Sequence, residues 1–402
     1  MNNRTITIGA VAIVALAAIF YFASSQKKVS EDIKVGILLG FTGPIESLTP
    51  DMASGAELAF NEASNSGELL GGSKITILRA DSTCVDSAAA TAAAEDLLSQ
   101  GMTAMMGADC SGVTGAVATN VAVPNGFVMI SPSATSPGLT DLEDKGMFFR
   151  TAPSDARGGQ VLADITNDKG IKSVAITYVN SDYGLGLADV YKAAVEAYGI
   201  TVTTMASHES DKADYSADVG VLSSAGGDAL AVLGYLDNAG GNIIEGSLDS
   251  GAFDTFVLSD GMIGDSLTDR FGSDLNNSFG SMPGSLGEGA QLFKSVAEAG
   301  GINPSVYVGE SYDAAALIVL AMQAGNSSDK GSIAENIMSV ANAPGEKIMA
   351  GEIAKGLKLL ASGKEIDYQG ATDVTFTDVG EAEGAFIEKG ISGGKFTDVA
   401  QR

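Results

Sequence analysis

The sequence predicts an α/β protein built as two doubly wound lobes, each a mostly parallel sheet with helices on both faces. Three observations predict it. Short apolar strand-like runs alternate with helix-like stretches. That alternation occurs twice, in two successive series of similar size. And 402 residues are too many for a single compact core, so two lobes are the expected outcome.

The first series opens with the strand-like "IKVGILL" (33–39) and a helical pattern over 52–63, then "KITILRAD" (74–81) and a helix over 87–98. "TAMMG" (103–107), a helix entered at Ser111 and "GFVMISP" (126–132) complete a βαβαβαβ order. The second series repeats the layout. "KSVAITYVN" (172–180), a helix over 186–198, "ITVTTMA" (200–206) and a helix over 215–222 lead to "DALAVLGY" (228–235), a helix over 242–248 and "DTFVLSDG" (254–261). No repeat is close enough to suggest a solenoid.

In such sheets ligands bind beyond the carboxyl ends of the strands. Hydroxyls and acids dominate the residues there: Phe41 to Gly43, Asp81 and Ser82, Asp109 to Ser111, Ser131 to Thr135, Asn180 to Tyr183, Tyr235 to Asn238, and Asp260 with Gly261. Lysine and arginine are missing from these positions. No G-x-x-x-x-G-K-[ST] phosphate loop or G-x-G-x-x-G turn occurs. The single histidine, His208, in the polar stretch "SHESDKAD", reads as a solvent-exposed loop residue, and two cysteines cannot build a zinc site of the Cys/His kind. Neither a metal, a cofactor nor an enzymatic constellation is expected.

Twenty-three basic against 50 acidic residues give a net charge of −27, which argues against nucleic acid or an anionic membrane surface as partner. The first 28 residues differ from the rest. Arg4 precedes an uncharged, mostly apolar run over 6–22, then Ala23 and Ser25 stand at a cleavage-like spacing. This segment reads as an export signal or a retained membrane anchor, and either places the body of the protein outside the cytoplasm. In an oxidising compartment Cys84 and Cys110 are expected to form one disulfide rather than a redox site. Ser111, at the mouth of its helix, has two readings: a cap for the orphan amides, or, with them, a receiver of an anion.

Seven segments carry a resemblance: "VGILLGFTGPI" (35–45), "DSTC" with "GADCSG", "MISPSATSPGLTDL" (129–142), "FRTAPSDARGGQVLA" (149–163), "VNSDYGLGLAD" (179–189), "SYDAAALIVLA" (311–321) and "DYQGATDVTFTDVGEAEGAF" (367–386). In this order they resemble the leucine/isoleucine/valine-binding family of extracytoplasmic solute receptors. The resemblance implies a type I periplasmic binding protein: two lobes, joined by three hinge strands, that close around a ligand as a Venus flytrap does. It assigns residues 29–152 and 281–368 to lobe I and 153–280 and 369–402 to lobe II, with the first crossing near 151–154.

The resemblance also implies roles. Cys110 pairs with Cys84. Ser111, both cap and receiver, joins Ala134 and Thr135 in taking the α-carboxylate of an amino acid, while Asp155 and Asp260 hold its α-ammonium. By their local sequence alone, Asp155 would be a helix N-cap and Asp260 a turn residue. Tyr183 covers the ligand and Tyr235 is a second aromatic there. Where relatives often place an aromatic after "TGPI", Glu46, Ser47 and Leu48 follow, and the chain has no Trp. Thr372-Asp373 stands where relatives tend to have Gly and reads as a loop variation. The implied function is a monomeric receptor that passes an aliphatic amino acid to the permease subunits of an ABC importer. The alternative is a membrane-anchored sensory lobe for an amino acid or small amide.

Overall fold

The computed structural model describes residues 32–402, so the export or anchor segment read at 1–28 lies outside the described residues. The first sheet takes the order β2-β1-β3-β4-β5, from β1 (Asp32–Leu39), β2 (Lys74–Asp81), β3 (Ala104–Gly107), β4 (Met129–Ser131) and β5 (Phe148–Arg150), all parallel. Val35 stands opposite Ile77 on one side and Ala104 on the other. β1 and β3 are buried nearly throughout rather than at alternate positions, because helices cover both faces.

The second sheet runs β14-β13-β10-β9-β8-β6-β7, from β6 (Ser173–Val179), β7 (Thr201–His208), β8 (Ala229–Leu233), β9 (Phe256–Leu258), β10 (Phe279–Pro283), β13 (Phe386–Ser392) and β14 (Lys395–Gln401). β13 is antiparallel to both its neighbours, β10 and β14. A two-stranded parallel sheet of β11 (Glu346–Met349) and β12 (Ile366–Gly370) packs with the helices of the first lobe.

The helix Val308–Ala324 carries no polar stripe beyond its first two turns, and it is buried almost all round. It lies against the helix Thr49–Ser66, and Gly55 permits the approach: a Cβ there would stand 2.6 Å from the Val308 carbonyl oxygen. The chain crosses between lobes three times, after β5, after β10 and after β12. β10 continues in the second sheet to Pro283 and β12 in the smaller sheet to Gly370.

Two local expectations are corrected. The helix read as starting at Gly186 begins at Asp182, because the Ser181 hydroxyl accepts from the Gly184 amide and caps it. His208 is no exposed loop residue: it closes β7, is 2% exposed and shares a 2.8 Å hydrogen bond through Nδ1 with the Thr177 hydroxyl. The polarity of its neighbours in sequence conceals this, since His208 pairs in register with Val179 of β6 and its ring lies against Gly234, where a Cβ would stand 3.1 Å from Nε2. Among the described residues no helix is long and apolar enough to cross a membrane.

Candidate functional site

The strand ends of the two sheets face one another across a small pocket. From the first lobe it is lined by Asp109, Cys110 and Ser111 beyond β3, by Ser133 beyond β4, and by Ile45, Leu48 and Met52. From the second come Tyr183 beyond β6, Tyr235 beyond β8, and Asp260 with Gly261 beyond β9. Tyr307, at the start of the helix Val308–Ala324, completes the wall.

Asp109 organises the floor. Its buried carboxylate accepts from the Gly40 amide (2.5 Å), the Ser82 hydroxyl (2.8 Å) and the Cys110 amide (2.9 Å), which ties three strand-end loops together. Cys84 and Cys110 are joined by a disulfide with their Cα atoms 5.1 Å apart. Ser111 is the first residue of the helix Ser111–Val117, while Cys110 occupies the cap position and no side chain caps that end. The capping role is therefore not taken. The Ser111 hydroxyl instead accepts from the Ser136 amide (3.1 Å), and the Ser136 hydroxyl donates across the cleft to the Asp182 carbonyl (3.0 Å).

Ala134 and Thr135 are fully buried behind Ser133. Both backbone polar groups of Ala134 are engaged, its amide by the Ser131 hydroxyl and its carbonyl by the Arg150 guanidinium, so it forms wall rather than ligand contact. Arg150, 1% exposed, also donates to the Ser136 carbonyl (2.9 Å) and the Thr140 hydroxyl (2.9 Å), and pairs with Glu381. It staples the 134–136 loop and leaves its charge already matched.

Asp155 is not an N-cap. Ser154 holds that position, its hydroxyl accepting from the Ala156 amide, and Asp155 is the first residue of the helix Asp155–Asp168. Its amide donates to the Thr135 carbonyl (2.8 Å), and it shares with Asp260 a small cavity adjoining the pocket. Asp155 Oδ2 and the Thr135 hydroxyl are buried without a hydrogen-bond partner, an arrangement that native interiors avoid unless something else satisfies them. Burial first, then the negative charge of Asp260, pushes the Asp155 carboxyl well above the usual range, and the nearby Thr135 hydroxyl, then Arg150, oppose this only in part.

Asp260 opens a short turn, as its Asp-Gly sequence suggests, but it is buried and accepts from the hydroxyls of Tyr183 (2.6 Å) and Tyr307. Burial raises its carboxyl while those two donors oppose the shift. Burial, then the Asp260 charge, pushes both phenols up and keeps them protonated donors. The Tyr183 and Tyr235 rings stack with centroids 5.2 Å apart. Gly261 is required beneath them, since a Cβ would meet the Gly234 carbonyl oxygen at 2.5 Å and the Tyr183 hydroxyl at 3.2 Å.

Thus Ser111, Tyr183, Tyr235 and Asp260 meet in one pocket, Asp155 and Thr135 flank it, and Ala134 stays in the wall. Sequence reasoning missed Tyr307 and Met52, and it met Ser133, Ile45 and Leu48 only as members of strand-end segments, with no role assigned to them. Tyr307 has left-handed backbone (φ 63°), which a Tyr in "SVYVGES" does nothing to signal.

Residues 32–355 match the family model described as periplasmic binding protein. Leu/Ile/Val-binding protein homolog 1 of Brucella melitensis biotype 1 is 31% identical over 329 residues, 80% of this chain and 85% of that one. Homolog 3 of the same organism is 32% identical over 255 residues, 61% of this chain and 64% of its own length. Among solved structures, a leucine-binding protein LivK from Thermotoga maritima superposes with a TM-score of 0.76 at 21% identity, covering 92% of this chain and 98% of that one. LivJ from Streptococcus pneumoniae, in complex with isoleucine, gives the same TM-score of 0.76 and identity of 21%, over 92% and 99%. A solute-binding protein from R. palustris in complex with benzoate gives 0.74 at 17%, over 92% and 96%. At such identities these structures bear on the fold alone.

Proposed function

The chain belongs to the periplasmic binding protein family, and from that premise we propose that it captures an aliphatic amino acid, of the branched-chain kind, outside the cytoplasm and delivers it to the permease subunits of an ABC importer. The observation that carries the reading is the pair Asp155 and Asp260. Two buried carboxylates face a common space, the nearest guanidinium is matched to Glu381, and one oxygen of Asp155 has no partner. Such a site calls for a cation that can donate several hydrogen bonds. An α-ammonium meets that need.

The other end of an amino acid is met by hydroxyls, Ser111 and Thr135, which satisfy a carboxylate without a buried counter-charge. The apolar wall of Ile45, Leu48 and Met52 suits an aliphatic side chain, and the names of the Brucella relatives point the same way. An aromatic acid such as benzoate would bring a third negative charge and no cation.

Calorimetry with L-leucine and with 4-methylpentanoate, the same molecule without its ammonium, tests this. Leucine should bind at least about a hundredfold more tightly, the consequence of leaving a buried carboxylate uncompensated. Comparable binding of 4-methylpentanoate or of benzoate would overturn the amino-acid assignment.

A further inference from the structure

A second cavity, of about 400 Å³, sits where the three connections between the lobes meet. Residues 284–286 of the second connection and Ala371 with Thr372 of the third line it. The first connection touches the same place, through the Thr151 hydroxyl donating to the Glu310 carbonyl (2.9 Å). Its walls come from both lobes: Phe293 and Glu310 on helices of the first, Pro283 and Ile387 on strands of the second. Opening about the connections therefore parts these walls.

Glu310 is the anomaly in this cavity. It is 4% exposed, and among the described residues no side chain donates to its carboxyl, which has only its own backbone amide. The charged groups around it do not compensate. Asp313, one turn on along the same helix, has the same sign, and Asp373 beside the second connection is bonded to the Ser285 hydroxyl. Lys389 is paired with Asp398, and Lys294 lies at an exposed position. Burial pushes the Glu310 carboxyl up to about 8, with the Asp313 charge adding to it and its own amide opposing. An unmatched buried carboxyl takes a proton rather than remain charged.

We propose that Glu310 is a proton-binding site built into the hinge, so that closing the lobes takes up a proton at this carboxyl and opening returns it. The proposal rests on the reading that the lobes close around a ligand. In the open form the carboxyl is hydrated and returns towards its ordinary range, near 4.3. Closure is then linked to protonation between that value and about 8, and the linkage is reciprocal: acid favours closure. Ligand affinity conferred by closure falls by up to about tenfold per pH unit across that window as pH rises, then levels off.

Calorimetry with L-leucine at pH 7, in buffers of different ionisation enthalpy, counts the protons exchanged on binding. Any protons handled by Asp155 and Asp260 are common to wild type and Glu310→Gln, so the difference between the two reads Glu310 alone. The expected difference is close to one proton taken up, and at pH 9 Glu310→Gln should bind leucine at least tenfold more tightly than wild type. Equal proton counts and equal pH 9 affinities overturn the proposal. Solution scattering of the ligand-free protein separates this outcome from failure of the amino-acid reading. Wild type should contract between pH 9 and pH 6 whether or not leucine binds, and Glu310→Gln should not. A wild-type scattering curve that stays flat with pH defeats the hinge proposal even if leucine binds. Should Glu310→Gln not fold, the contraction between pH 9 and pH 6 must persist in Asp155→Asn, and its loss there assigns it to the ligand pocket and overturns the proposal.

Discussion

Asp155 sits beside a cap rather than in one, and this sharpens what its substitution reports. Because Ser154 supplies the helix cap, Asp155→Asn removes a charge without removing a capping bond. Loss of the ammonium partner should cost about 3 to 5 kcal/mol of leucine binding, an affinity drop of roughly two to four orders of magnitude by calorimetry. The free protein should respond oppositely. The folded-state carboxyl is raised, so folding binds the extra proton and stability falls as pH rises above the ordinary value near 3.9. Asp155→Asn should therefore raise the melting temperature more at pH 8 than at pH 5. His208 shows the reverse sign. Burial lowers its imidazole to about 4, so its contribution is complete above the ordinary 6.5 and is lost as pH falls towards 4, about 3 kcal/mol in all. The loss of melting temperature between pH 7 and pH 4.5 should be smaller in His208→Gln than in wild type. Nothing in "SHESDKAD" announced this burial, because it depends on residues of neighbouring strands.

At the scale of elements, the alternation of strand and helix was legible because the strands are short local runs rich in apolar residues, the central ones, such as β3 and β8, buried throughout. β2 spans the same residues in sequence and structure, 74–81. Element starts were less legible, as at Ser181, where a single hydroxyl decides the first turn. The helix Val308–Ala324 has no 3.6-residue periodicity to read, since both lobe helices and strands pack on it from several sides. Leu317, at its centre, is fully buried. Leu317→Ala should lower the unfolding free energy by about 2 to 5 kcal/mol, seen as a lower denaturant midpoint at unchanged slope. Asp313, on the same helix, shows that the Thr372-Asp373 variation is more than loop tolerance. Its carboxylate accepts from the Ala371 amide (2.8 Å) and from the Thr372 amide (2.9 Å) and hydroxyl (2.7 Å), fixing the third connection to the helix.

At the scale of the molecule, hydrogen bonds beside the ligand pocket join the two lobes without using the pocket's own polar groups. The Ser47 amide donates to the Asp237 carboxylate (2.8 Å), and the Asp237 amide to the Pro44 carbonyl (3.1 Å). A ligand shifts the open-to-closed equilibrium only by its differential affinity, so contacts that favour closure add to apparent affinity without touching the ligand. Asp237→Ala should weaken leucine binding about threefold to tenfold, the worth of roughly one net hydrogen bond, through faster dissociation in stopped-flow measurements. Saturating leucine should reduce the radius of gyration of the wild type in solution scattering. An unchanged curve at full occupancy would count against closure.

By itself the sequence determined the two α/β series, the pairing of Cys84 with Cys110, and which polar residues follow each strand. These follow from local periodicity, from composition and from the order of segments along the chain. Tertiary structure alone decided which of those polar residues are spent and which are free. Arg150 is matched by Glu381, 231 residues away, Asp260 is bonded by Tyr183 and Tyr307, 77 and 47 residues away, and Asp155 keeps one oxygen unpartnered. The physical reason is that a polar side chain carries the same local signal whether it is solvated, satisfied or buried alone. Only the docking of distant segments, which excludes water, separates those states.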